Sequence, residues 1–169
     1  MEAKETERGN AVEAVRAKAG KYLTFILGHE EYGFEILKVR EIMGVIEITN
    51  LPQTPNYVKG VINLRGIVIP IIDLRLKFGF SPREYDKSTC IIVVKHGDGL
   101  MGVVVDTVQE VLDIAAENMD NAPSFGGGVK TDFILAMGKV KGKVKILLDI
   151  DKVLEAAAGA LEAATAAMA

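Results

Sequence analysis

Gly66-Ile67-Val68-Ile69-Pro70-Ile71-Ile72-Asp73-Leu74 recurs 76 positions later as Gly142-Lys143-Val144-Lys145-Ile146-Leu147-Leu148-Asp149-Ile150. In both copies a glycine opens an apolar run and an aspartate closes it. A second block repeats at a shift of 69. YGFEILKVREI (32–42) lies over MGVVVDTVQEV (101–111), with Gly28 on Gly97, Gly33 on Gly102, Val39 on Val108 and Glu41 on Glu110. The seven-residue difference between the shifts fits a longer loop near Gly126–Gly128 in the second copy. Repetition at a fixed offset marks a unit built twice.

Each copy holds about 65 residues and roughly five short strands. Short apolar runs bounded by turn residues predict strands at 21–27, 32–36, 42–48, 60–64, 67–72, 88–95, 100–105, 107–112, 133–137 and 143–148. A sheet this small hides its edges best by closing on itself. One copy alone is marginal, because a 60-residue domain buries only about 60% of its unfolded surface. The expected fold is therefore mainly β: two similar five-stranded β-barrels packed side by side, with short helices and a C-terminal helix. The expected boundaries are a leader over 1–20, a barrel unit over about 21–80 and another over about 88–150, with strands free to cross over. An Ala-rich helical tail follows over 154–169. Segment 79–88 reads as a linker, and 117–131 as a polar, glycine-rich loop.

Composition narrows the function. The 169 residues carry 20 Lys+Arg and 23 Asp+Glu, a net charge of −3. A duplex-binding domain is usually basic, so nucleic acid is not an expected partner. No apolar run approaches the roughly 18 residues of a membrane span, and residues 1–20 lack the apolar core of a signal peptide. A cytoplasmic protein without direct membrane insertion is expected. Cys90 is the only cysteine, which excludes an intramolecular disulfide, and its apolar strand makes it read as a small buried hydrophobe.

Chemistry-bearing patterns are weak. His29 and His96 fall in hairpin turns without a second ligand at metal spacing. Asp73 and Asp149 follow apolar strands and precede helix-like runs, the place of an N-cap. The stretch from Gly126 to Thr131 fails the phosphate-loop pattern, because Val129 separates Gly128 from Lys130. No cofactor and no enzymatic activity are expected. A β-barrel enzyme or small-ligand binder would need a convergent polar cluster. Arg65, before Gly66 at a hairpin tip, offers five fixed donors suited to a carboxylate, and Glu41 is available in the same repeat.

Three segments, YGFEILKVREI (32–42), LPQTPNYVKGVINLRGIVIPIIDLRLKFG (51–79) and GVVVDTVQEVL (102–112), resemble the CheW family of bacterial chemotaxis coupling proteins. The resemblance covers about residues 20–153. It implies a paired-barrel fold, also found in the regulatory domain of the kinase CheA and the first half of CheV. It implies a non-enzymatic adaptor joining the cytoplasmic tips of methyl-accepting chemotaxis receptors to CheA, in arrays at the inner face of the membrane. An alternative output is a chemotaxis-like pathway for gliding, pili or biofilm. The positions implied for receptor binding are Val39, Glu41, Ile42, Arg65, Val108 and Val111. Those implied for kinase binding are Gly60 and Val39. Val39 and Val108 are expected to face a groove between the barrels. Glu41 and Glu110 are expected on the same face, two residues along.

Overall fold

A computed structural model describes residues 13–121 and 131–168. The first part of the leader and most of the glycine-rich loop, with Gly126–Gly128, lie outside the described residues. These residues form eleven strands: β1 (Gly20–Leu27), β2 (Glu30–Glu35), β3 (Val39–Gly44), β4 (Val58–Leu64), β5 (Ile67–Asp73), β6 (Cys90–His96), β7 (Gly99–Val105), β8 (Thr107–Ile114), β9 (Met119–Asp120), β10 (Ile134–Val140) and β11 (Lys143–Leu148). Helix α1 (Leu74–Lys77) follows β5, and helix α2 (Ile150–Met168) follows β11.

The strands make two sheets, ordered β8-β1-β2-β11-β10-β9 and β3-β6-β7-β5-β4. Neither sheet divides at the repeat boundary. β1 and β2 of the first copy join β8, β10 and β11 of the second in one sheet, while β3, β4 and β5 join β6 and β7 in the other. The two copies have exchanged halves, so both sheets run third-first-second-fifth-fourth in repeat numbering, with the two-residue β9 added to one edge. Within each sheet the copies meet along a parallel ladder. Leu147 lies opposite Gly33 in one, and Ile71 opposite Gly102 in the other. These pairs are related by the same two shifts that align the sequence.

Packing leaves little room beside the glycines at those ladders. A Cβ on Gly33 would lie 3.0 Å from Leu147, and one on Gly102 would lie 2.4 Å from Ile71. The hairpin turns repeat as well. Arg65 and Lys141 both take φ 51°, followed by Gly66 at 87° and Gly142 at 76°. Two successive left-handed residues give the tight turn whose twist suits a two-residue hairpin.

Alternation along the strands gives each sheet two apolar faces. Tyr22, Ile114, Met119, Ala136 and Leu147 form the private cluster of the six-stranded sheet. Ile62, Ile69, Ile71, Ile91, Val93 and Val104 form that of the five-stranded sheet. The opposite faces meet in a central cluster containing Leu23, Phe25, Phe34, Ile72, Ile92, Val94 and Val103. The two-unit, mainly β expectation holds. The sheets have six and five strands and remain open, each curling over its own cluster without a closing ladder.

Three local expectations change. Leu154, Ala157 and Leu161 of α2 are buried in the central cluster, so the helix is part of the core well beyond residue 153. Segment 79–88 is pinned rather than loose: Arg83 and Arg75 both donate to the buried Asp106 carboxylate, which also accepts from the Gly28 amide. Cys90 is half-buried, with Sγ 3.3 Å from the Ser88 carbonyl. Both expected caps form. Asp73 Oδ1 accepts from the Leu76 amide at 3.2 Å, and Asp149 Oδ1 from the Lys152 amide at 3.3 Å.

Candidate functional site

The edge strands β3 and β8 are repeat equivalents, and each carries a bulge at the same place. Val39 lies opposite Val94, but Glu41 lies opposite the adjacent Val93. Val108 lies opposite Phe25 and Val111 opposite Leu23, so two residues of β8 face Thr24 alone. A bulge inserts one residue and reverses the alternation beyond it. Residues three apart, which an unbroken strand points to opposite sides, therefore come to share a side.

Val94, Ile92, Phe25 and Leu23 all belong to the central cluster. Directly opposed residues point to the same face. The bulges thus place Val39 and Ile42 of one sheet, and Val108 and Val111 of the other, on the face that carries the shared core. Val39 and Val108 are half-buried against it, whereas Ile42 is 43% exposed and Val111 50% exposed. The expectation that Glu41 rims the same face as Val39 is overturned. Glu41 is on the Val93 side, facing the private cluster of the five-stranded sheet.

There Glu41 meets Arg65. The guanidinium donates from Nη2 to Oε2 at 2.6 Å and from Nη1 to Oε1 at 3.3 Å. This two-pronged pair holds the Glu41 carboxyl below the usual carboxylate range and raises Arg65 further. Arg65 reaches it from the β4–β5 hairpin, whose tip is fixed by the Asn63 side chain accepting from the Gly66 amide at 2.9 Å. Beside the pair, Ile67 is 55% exposed and Val68 64% exposed. Ile67 and the Glu41–Arg65 pair, with Leu64, Leu100 and Val93, line a cleft of about 380 Å³.

The six-stranded sheet has a matching cleft of about 530 Å³, lined by Ile26, His29, Glu31, Met137, Lys143 and Val144. Its chemistry differs. Glu31 and Lys145 occupy the positions of Leu100 and Ile69 in the other copy. The buried Lys145 donates to Glu31, and Gln109 Nε2 donates to the same carboxylate at 3.0 Å. These bonds hold the Glu31 carboxyl below its ordinary range. An apolar contact in one half is an ion pair in the other.

Gly60 is buried, and it is constrained by the backbone rather than placed on a surface. Its φ is 137°, and a Cβ there would lie 1.9 Å from the Thr49 carbonyl oxygen. The chain crosses here because Thr49 and Val61 exchange hydrogen bonds of 2.8 and 2.9 Å. A side chain at residue 60 therefore disturbs the backbone crossing whether or not a partner is present.

A family model described as a CheW-like domain matches residues 21–158. The chain belongs to the CheW-like family. Curated CheW chemotaxis proteins from Klebsiella aerogenes and Helicobacter pylori are 44% and 36% identical to it, over 79% and 80% of this chain and 81% of each relative. The crystal structure of the scaffolding protein TtCheW from Thermoanaerobacter tengcongensis superposes with a TM-score of 0.75 at 34% identity, covering 81% of this chain and 93% of that one. The family is one of chemotaxis scaffolds rather than enzymes. Among the described residues no helix is long and apolar enough to cross a membrane.

The residues that the CheW resemblance singled out fall into three places. Val39, Ile42, Val108 and Val111 share the central face through the bulges. Glu41 and Arg65 form one ion pair at the end of the five-stranded sheet. Gly60 stands apart as a crossing point. Sequence reasoning missed the exposure of Ile67 and Val68, since an apolar run reads as core. It also missed the bulges, and started β3 three residues late at Ile42. The equal three-residue spacing of Val39–Ile42 and Val108–Val111 was the available signal.

Proposed function

We propose that this chain is a non-enzymatic adaptor that couples methyl-accepting chemotaxis receptors to the histidine kinase CheA. The observation that carries the receptor contact is the shared face of Val39, Ile42, Val108 and Val111. It offers apolar side chains from both edge strands, two of them about half exposed. A receptor tip is an α-helical hairpin, and an amphipathic helix binds by laying apolar residues against such a surface. The Glu41–Arg65 pair supplies a polar contact from the opposite face of the same edge strand.

The kinase contact is a sheet end against a like sheet end in the regulatory domain of CheA. Ile67, exposed beside a charged pair, has the apolar centre and polar rim of a protein interface, and Val68 adds exposed apolar surface on the other side of the same strand end. Val39, two residues before Glu41 on the β3 edge, contributes to both contacts. Binding to receptor tips at the inner face of the membrane places the protein in the cytoplasm.

The test is an NMR titration of the full chain with a receptor-tip fragment and, separately, with the regulatory domain of CheA. Receptor-induced shifts are expected over 36–42 and 105–111, and kinase-induced shifts over 60–68. A receptor footprint confined to the Glu31–Lys145 cleft or to α2 overturns the receptor assignment. A kinase footprint that spares Ile67 and Val68 overturns the kinase assignment.

A further inference from the structure

The two equivalent bulges are held by different means. In β3, bulge residue Glu41 is gripped from outside by Arg65. In β8 the equivalent residue is Glu110, which forms no such pair among the described residues. Its grip comes from inside. The Thr24 hydroxyl donates to the Glu110 carbonyl at 2.8 Å and accepts from the Glu110 amide at 3.3 Å. Thr24 is fully buried, and its repeat equivalent is Val93, which has no hydroxyl. One side chain thus satisfies both backbone groups that the bulge leaves without a ladder partner.

We propose that Thr24 is a positioning residue for the receptor-facing strand, fixing the bulge that puts Val108 and Val111 on one face. This rests on the receptor reading above. Without the hydroxyl, an edge strand has little to stop its extra residue from migrating along β8. A one-residue slip turns the side chains beyond it to the other face. Val111 would then leave the docking face while Phe25–Val108 packing persisted. Thr24 touches neither partner; it acts through the backbone of Glu110.

The experiment compares Thr24→Val, Thr24→Ser and Val111→Asp in the full chain. The readouts are affinity for a receptor-tip fragment, affinity for the regulatory domain of CheA, and hydrogen exchange of the Glu110 amide. Thr24→Val is expected to weaken receptor binding roughly three- to tenfold, the range supported by one or two lost hydrogen bonds. It should speed Glu110 exchange and leave kinase affinity within about twofold. Thr24→Ser should restore both receptor binding and protection. Loss of binding with Val111→Asp but not with Thr24→Val overturns the positioning role and spares the receptor reading. Equal loss of receptor and kinase binding in Thr24→Val shows a fold-wide effect and also overturns it. Full receptor binding by Val111→Asp overturns the receptor reading and this role with it.

Discussion

Gly60→Ala should unfold this protein far more readily than its size of perturbation implies. A methyl group at residue 60 would lie 1.9 Å from the Thr49 oxygen and 2.6 Å from its carbonyl carbon, both rigid backbone atoms. Neither can rotate away, so the two chain segments must separate. Separation sacrifices the Thr49–Val61 hydrogen-bond pair, and each such bond contributes about 0.5–1.5 kcal/mol. Alanine must also adopt the glycine backbone at φ 137°, which costs about 1–3 kcal/mol. The total is about 2–6 kcal/mol, against a whole-domain stability of about 5–15 kcal/mol. For a chain this long, each kcal/mol moves the melting temperature by about 2–4 °C, so a fall of about 5–20 °C is expected. Thermal unfolding followed by circular dichroism, with urea titration as a check on the slope, measures it. A variant melting within 2 °C of the parent refutes the crossing geometry. If the expected fall is found, loss of kinase binding in any Gly60 variant reports lost structure, and the kinase surface must be mapped through Ile67 and Val68.

Other substitutions separate surface from support. Arg65→Gly should melt at or slightly above the parent temperature, because glycine takes the left-handed turn without strain; it should nonetheless impair kinase control by receptors in a reconstituted array, and full coupling would show that the Glu41 pair is dispensable. Lys145→Met should destabilise by about 1–3 kcal/mol by leaving Glu31 without its buried partner, and adding Glu31→Gln should recover most of the loss in urea unfolding; a fully additive double variant refutes the coupling. Because the folded-state pKa of Glu31 lies below its unfolded value, its contribution is complete above the unfolded pKa of about 4.3 and is lost as pH falls through the folded one. Glu31→Gln should therefore flatten the decline of melting temperature below about pH 4, and an unchanged slope would refute the assignment. Leu154→Ala should cost about 2–5 kcal/mol, since Leu154 is fully buried in the central cluster; a neutral effect would return α2 to the status of a tail.

The repeat was legible in the residues because it is written in backbone requirements. Gly33 and Gly102 each admit a leucine or isoleucine side chain from a parallel neighbour, and Asp73 and Asp149 each cap a helix. Such demands are local and depend on single residue types, so they survive as identities at a fixed offset. The mainly β class, the hairpin at Arg65-Gly66 and the Glu41–Arg65 pairing followed from the same kind of reading. The exchange of strands between the copies left no such mark. A strand of either copy alternates in the same way whether it pairs within its own unit or with the other, so the periodicity is silent about the partner. The bulges in β3 and β8 were decided by tertiary structure too. Whether Val39 and Glu41 share a face depends on one unpaired residue, and that is set by what lies opposite: Val94 and Val93 on one side, Phe25 and the Thr24 hydroxyl on the other. Exposure was the last thing to appear. Ile42, Ile67, Val68 and Val111 are as apolar as the core residues beside them, and only the packed sheets determine which side chains find a partner within the chain and which remain for another molecule.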